Sequence, residues 1–336
     1  AVDCTAHYAF VSNSSANTLS QYTIDSNGQL VPMSPANIGA PSNPLGLAID
    51  SGGLYLYAAA AYGPGVAQYG IGANGALSPL ATSLVPAGTQ PYGVATDPKA
   101  PYAYVTNNGG ATLSQFSIGG TGLLSQLSPA AFTTPNGPYD LHVDPTGQYV
   151  YVTNNGNGSV SQYVIQPGGT LTPMSQATVY AGADPTGLAI SPTGHAVYVA
   201  LLGANAVAQY SVGAGGALVP MSPATVPAGT MPMSVTVDRS GRYAYVANYG
   251  DGSTPSTVSQ YTINSTGGLV PMATPSVAAG VGPRFLAVDP TGRFGYVTQY
   301  EDATVRQYAI GSTGALTALS PATAPAQAGA WGIVVR

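Results

Sequence analysis

Val160-Ser161-Gln162-Tyr163-Val164-Ile165 decides the fold, because its Gln-aromatic pair returns at fixed intervals along the chain. Gln21, Gln68, Gln115, Gln162, Gln209, Gln260 and Gln307 precede Tyr22, Tyr69, Phe116, Tyr163, Tyr210, Tyr261 and Tyr308. Five of the six intervals are 47 residues and the sixth is 51. A fixed period in this range marks a repeat architecture. Outward from Gln162, the unit resolves into four segments of strand character. Residues 141–144 read as strand A, and Pro145-Thr146-Gly147 as a turn. Residues 149–154 alternate aromatic and β-branched side chains and read as strand B. Asn155-Gly156-Asn157-Gly158 turns the chain, since Asn and Gly tolerate positive φ. Residues 160–165 are strand C, and residues 171–174 are strand D. Pro173 suits strand D to an outer edge, where the missing N–H breaks no ladder. The expectation is all-β: a single seven-bladed β-propeller over residues 1–336, with four antiparallel strands per blade.

The ends predict how the ring closes. The chain begins near the end of one strand A and finishes with Trp331-Gly332-Ile333-Val334-Val335-Arg336, which aligns with strand A elsewhere. This segment should form the innermost strand of the N-terminal blade, displacing Ala1-Val2-Asp3 from the same slot.

Composition narrows the function classes. Charged residues are 6% of the chain and the formal net charge is −5. The polar, weakly charged surface points to a secreted, periplasmic or cell-surface protein; the opening inside the first repeat fits removal of a leader. No basic run exists to neutralise phosphates, which argues against nucleic acid. No run of about 18 apolar residues is present, so no membrane-spanning helix is expected. Cys4 is the only cysteine, which excludes an internal disulfide and a multi-cysteine metal site. It takes the place of Pro98, Pro145, Pro192 and Pro290 and reads as a turn residue.

Tyr104-Val105-Thr106-Asn107 and Tyr151-Val152-Thr153-Asn154 carry a Tyr-Val-Thr-Asn signature, with near matches at Tyr245-Val246-Ala247-Asn248 and Tyr296-Val297-Thr298-Gln299. Asp-Pro-x-Gly precedes this strand and Gly-x-Leu follows it. The whole chain thus resembles the YVTN-repeat propellers, within the lactonase-like superfamily that includes 6-phosphogluconolactonases and muconate cycloisomerases. For YVTN proteins proper the resemblance implies a surface-layer or secreted protein without established chemistry. For lactonase-like members it implies lactone chemistry, often with a Pro-His pair opening strand A. Here that position holds Leu45, Tyr92, Tyr139, Thr186, Met233, Arg284 and Trp331, none of them histidine.

Seven internal copies separate scaffold from departure. The repeated Gln should bridge backbone groups between neighbouring strands or blades. Met33, Met174, Met221 and Met272 share one position, filled elsewhere by Leu, and read as packing. His7 and His195 sit near A–B turns and read as surface. Strand A lines the central channel with a small stripe such as Gly46 and Ala48; one strand A replaces it with Asp140 and His142. Two residues apart, they face the same side of a strand. An Asp beside a His can orient it as a general base; the alternative is a satisfied polar pair between blades.

The other departures gather at one channel mouth. Arg284-Phe285 and Trp331 open two strands A. The only insertion falls in residues 250–255, and Tyr300-Glu301-Asp302 holds the sole glutamate. Arg284 could bind a carboxylate or phosphate bidentately, and Trp331, Tyr92 and Tyr139 could stack on a ring or sugar, beside an acidic rim of Glu301 and Asp302. The alternative pairs Arg284 with Glu301 or Asp302. Asp251, Glu301 and Asp302 offer oxygens that suit calcium, but no loop has calcium-motif spacing, so no metal or other cofactor is expected. Asn13-Ser14-Ser15, Asn157-Gly158-Ser159 and Asn264-Ser265-Thr266 are glycosylation sequons in a eukaryotic context.

These observations place first a secreted or surface propeller that binds a protein, glycan or small-molecule ligand at the channel mouth without catalysis. A lactonase-like hydrolase or isomerase acting on an anionic lactone in the channel stands second. A carbohydrate-binding propeller stands third.

Overall fold

The computed structural model describes residues 7–252 and 256–336. The expectations for Ala1-Val2-Asp3 and Cys4, the His7 side chain, and residues 253–255 of the insertion lie outside the described residues.

Seven four-stranded antiparallel sheets form the blades of a propeller. Blades are numbered here from the N-terminal one. In blade 4, strand A is Pro138–Val143, B is Tyr149–Asn154, C is Ser159–Ile165 and D is Leu171–Tyr180. In blade 1, Ala330–Val335 supplies strand A beside His7–Asn13, with Phe10 opposite Val334 and Val11 opposite Ile333. The C-terminal segment therefore closes the ring as its sequence predicts.

Strand D departs from expectation: it runs for 10 residues rather than ending at Met174. Its pairing with strand C jumps from Tyr163–Pro173 to Ser161–Thr178, so the residues between bulge out opposite Gln162. A bulge breaks the two-residue alternation that would have marked the strand in sequence. It also explains the glutamine. Gln162 Nε2 donates to the Gln176 carbonyl within the bulge at 2.8 Å, and its Oε1 accepts the Leu218 N–H of the next blade at 2.6 Å. The same pair of bonds recurs at Gln21, Gln68, Gln115, Gln209, Gln260 and Gln307. A buried primary amide is thereby satisfied at both ends.

The Tyr-Val-Thr-Asn signature is scaffold chemistry too. Tyr151 Oη donates to the Gly216 carbonyl in the C–D turn of the next blade, at 2.6 Å. Gly216 must be glycine: its φ is +82°, and a Cβ there would lie 2.5 Å from the Tyr149 ring. Thr153 Oγ1 accepts the Asp140 N–H at 3.0 Å and donates to the Thr186 carbonyl at 2.6 Å, tying two adjacent strands A together. Asn154 Nδ2 donates to Ser161 Oγ at 2.8 Å and so pins the B–C turn. Between these polar ties each seam is apolar, as where Tyr151 and Val160 of blade 4 pack with Leu188, Val197 and Val199 of blade 5. Apart from short 3₁₀ turns the described chain is strand and loop, and no helix is long and apolar enough to cross a membrane.

Candidate functional site

Strand A starts beside the B–C loop, since Pro138 pairs with Asn154, and ends at the A–B turn. Seven such strands surround a central cavity of about 320 Å³. Its wall is mostly small and aliphatic because neighbouring strands A approach closely. A Cβ on Gly187 would lie 2.8 Å from Ser234 Cα, and one on Gly332 would lie 2.6 Å from the Leu45 carbonyl oxygen.

Asp140 occupies this crowded position in blade 4. Its carboxylate turns into the seam, where Oδ1 accepts the Leu141 N–H at 2.9 Å and Oδ2 accepts the Leu188 N–H of blade 5 at 3.0 Å. His142 Nε2 lies 3.7 Å from Asp140 Oδ2. The Asp140 side chain is 14% exposed, whereas that of His142 is 47% exposed and lines the cavity. Burial raises the Asp140 pKa; His142 and the two backbone N–H groups pull it back down. The carboxylate thus bridges two blades while the imidazole stays exposed to the cavity.

Tyr92, Tyr139 and Trp331 line the end of the same cavity nearest the B–C loops. Tyr92 and Tyr139 ring centroids lie 4.7 Å apart, Tyr92 and Trp331 5.8 Å, and Trp331 and Tyr300 5.8 Å. Burial raises both the Tyr92 and Tyr139 phenol pKa values. Trp331 is only 8% exposed, packed with Leu45 and Ala61.

Arg284 is not among the cavity-lining residues; its guanidinium stacks on Trp331 at 4.4 Å, Tyr249 at 4.5 Å and Tyr300 at 4.8 Å. Among the described residues no ion pair joins it to Glu301 or Asp302. Glu301 instead accepts the Tyr249 hydroxyl, and Asp302 is exposed. Arg284 Nη1 lies 3.8 Å from the Met233 sulfur, and its buried Nε has no hydrogen-bond partner. The ion pair gives way to stacking because two B–C loops carry tyrosine directly after strand B. Other blades hold Ser14, Ala61, Asn108, Asn155 and Leu202 there, so Tyr249 and Tyr300 were visible as departures that sequence reading passed over. His195 is exposed, as expected of a turn residue. Among the described residues no group of three or more His, Cys, Asp or Glu side chains is placed to hold a metal ion.

The sequence profile of the "Lactonase, 7-bladed beta-propeller" family matches residues 64–222, 178–257 and 255–331. The chain belongs to this lactonase propeller family. No curated protein matches this lactonase-family chain by sequence. Among solved structures it is similar to a candidate 6-phosphogluconolactonase of Bacteroides uniformis, at 19% identity and a TM-score of 0.85, covering 98% of this chain and 99% of that one. A second candidate 6-phosphogluconolactonase, from Bacteroides fragilis, has 17% identity and a TM-score of 0.85, over 100% of this chain and 99% of that one. A periplasmic gluconolactonase of Pseudomonas aeruginosa has 17% identity and a TM-score of 0.78, over 98% and 99%. At these identities the likeness concerns the fold.

Proposed function

We propose that this lactonase-family propeller hydrolyses a lactone in its central channel, with His142 as general base and Asp140 as the group that orients it. The observation that carries the reading is the Asp140–His142 pair, which sets a solvent-reachable imidazole in a cavity lined mostly by small and aliphatic residues. With Nε2 toward Asp140, Nδ1 takes the proton from water as its oxygen bonds to the lactone carbonyl carbon. The ring C–O bond then breaks, and the imidazolium returns the proton to the leaving alkoxide, giving a hydroxy acid. Asp140 stabilises the imidazolium that forms between the two steps. Arg284 contributes uncompensated positive charge at the aromatic end, which favours an anionic lactone, and Tyr92, Tyr139 and Trp331 shape that end of the pocket. Glu301 and Asp302 remain outside the chemistry, at the rim.

Family membership moves weight to this reading from the non-catalytic scaffold. The scaffold keeps one specific support: no strand A opens with histidine. An extracytoplasmic location is supported by the 6% charged composition. The experiment is a lactone-hydrolysis panel, including 6-phosphogluconolactone, on the wild-type protein, His142→Ala and Arg284→Ala. Turnover should fall about 10²–10⁴-fold in His142→Ala, with a raised KM for anionic substrates in Arg284→Ala. No turnover by the wild type across the panel would return the channel mouth to a binding role.

A further inference from the structure

The chain has only seven Lys and Arg residues, and three of them border one depression of about 250 Å³. Arg239 and Arg242 come from the A–B turn of blade 6, and Arg293 from that of blade 7; the C–D turn of blade 7 forms the third side. Because strands A end at these turns, the depression lies at the opposite end of the propeller from Arg284 and Trp331.

Two of the guanidinium groups are held in place. Arg242 lies 5.0 Å from the Tyr243 ring centroid, and its Nε donates to Ser240 Oγ at 3.2 Å. Arg293 lies 4.9 Å from the Phe294 centroid, and its Nη2 donates to the Ser26 carbonyl at 3.1 Å. None of the three arginines forms an ion pair among the described residues. Asp238 also lines the depression, but the nearby carboxylates are engaged by their own turns. Asp238 Oδ1 accepts the Arg242 and Tyr243 N–H groups, and Asp289 Oδ1 accepts those of Arg293 and Phe294. Asp25 accepts the Asn27 and Gln29 N–H groups. Where blade 1 has Asp25, the C–D turn beside the depression has uncharged Gly311.

The repeats supply an internal control. The place of Arg242 and Arg293 is taken elsewhere by His7, Leu54, Pro101, Gln148 and His195, and that of Arg239 by Cys4, Ser51, Pro98, Pro145, Pro192 and Pro290. The turn bond from glycine N–H to the leading carbonyl is 2.9 Å in Gly53–Asp50, 3.0 Å in Gly147–Asp144 and 2.9 Å in both Gly241–Asp238 and Gly292–Asp289. The turn therefore does not require arginine, and the fold does not account for three of them meeting in adjacent blades.

We infer that this depression binds a tetrahedral oxyanion, a phosphate or sulfate group carried by a small ligand. Each guanidinium presents a rigid fork of N–H donors, of which Arg242 and Arg293 each engage one with the protein; the unused donors of three arginines around one depression suit the several oxygens of a tetrahedral anion better than a planar carboxylate, which one fork satisfies. The inference does not rest on the hydrolase reading.

The test is an amide-resolved NMR titration of the whole chain with inorganic phosphate, inorganic sulfate and acetate at matched ionic strength. Arg239→Ser and the double variant Arg242→Gln/Arg293→Gln borrow residues that other blades carry at these places, so their spectra elsewhere should match the wild type. Phosphate or sulfate should give saturable shifts confined to residues 238–243, 291–294 and 311–312, and the anion bound more tightly names the ligand group. Affinity should fall about tenfold for each arginine removed. The inference is overturned if neither anion saturates, if the variants bind as the wild type does, or if acetate binds equally well.

Discussion

Gln307 Oε1 accepts the Leu30 N–H at 2.6 Å, so a side chain of the last blade holds the outer strand of the first. The other six repeat glutamines make the same bond to the following blade, at 2.6 or 2.7 Å. The seams are thus polar at a few repeated points, this glutamine among them, and apolar between them. Gln162→Leu would leave the buried Leu218 N–H without a partner and remove the donor to the Gln176 carbonyl. It should destabilise the protein by about 1–3 kcal/mol, read from urea unfolding.

Ring closure depends on the last strand. Removing residues 331–336 exposes the inner edge of His7–Asn13 and deletes two buried side chains, Trp331 and Ile333. Those two alone contribute about 3–6 kcal/mol of apolar burial. Thermal unfolding of the truncated chain should begin at a much lower temperature than in the full chain and lose its cooperativity.

Buried tyrosines set the alkaline limit. Burial pushes Tyr22, Tyr69, Tyr198, Tyr210, Tyr261 and Tyr308 up to about 12, from an ordinary 10.0. With folded pKa values raised above the unfolded one, their contribution is complete below about pH 10 and is lost as pH rises toward 12. Absorbance titration should show a set of phenols that ionises only as the protein unfolds. Asp140 follows the same sign: its raised pKa favours the folded state at acid pH, and that contribution disappears as the carboxylate ionises.

Arg284 packs against three rings with no carboxylate partner among the described residues. Arg284→Ala should cost about 1–2 kcal/mol through lost cation–π contact. Arg284→Lys should not restore it fully, because an ammonium cannot lie flat on the rings. Chemical denaturation of the two variants checks this.

The fold was legible because the repeated features are scaffold: the Gln before an aromatic makes its two bonds in every blade, and Tyr-Val-Thr-Asn ties the strands of those blades that carry it. Strand D was read short because the bulge opposite the glutamine interrupts the alternation that sequence reading follows. Asp140 and His142 stood out as departures from a Gly-Ala stripe. Tyr249 and Tyr300 are departures too, but their stacking on Arg284 depends on loop geometry that spacing does not encode. The cluster of Arg239, Arg242 and Arg293 escaped for a related reason: the turns are 51 residues apart in sequence and meet only when blades pack side by side.

The most direct measurement is the steady-state rate of lactone hydrolysis by the wild type, His142→Ala and Asp140→Asn, each checked for an unchanged fold. The account predicts measurable wild-type turnover, falling about 10²–10⁴-fold in His142→Ala and substantially in Asp140→Asn. Equal rates in all three proteins would contradict a base at His142 and remove the channel pair from the chemistry.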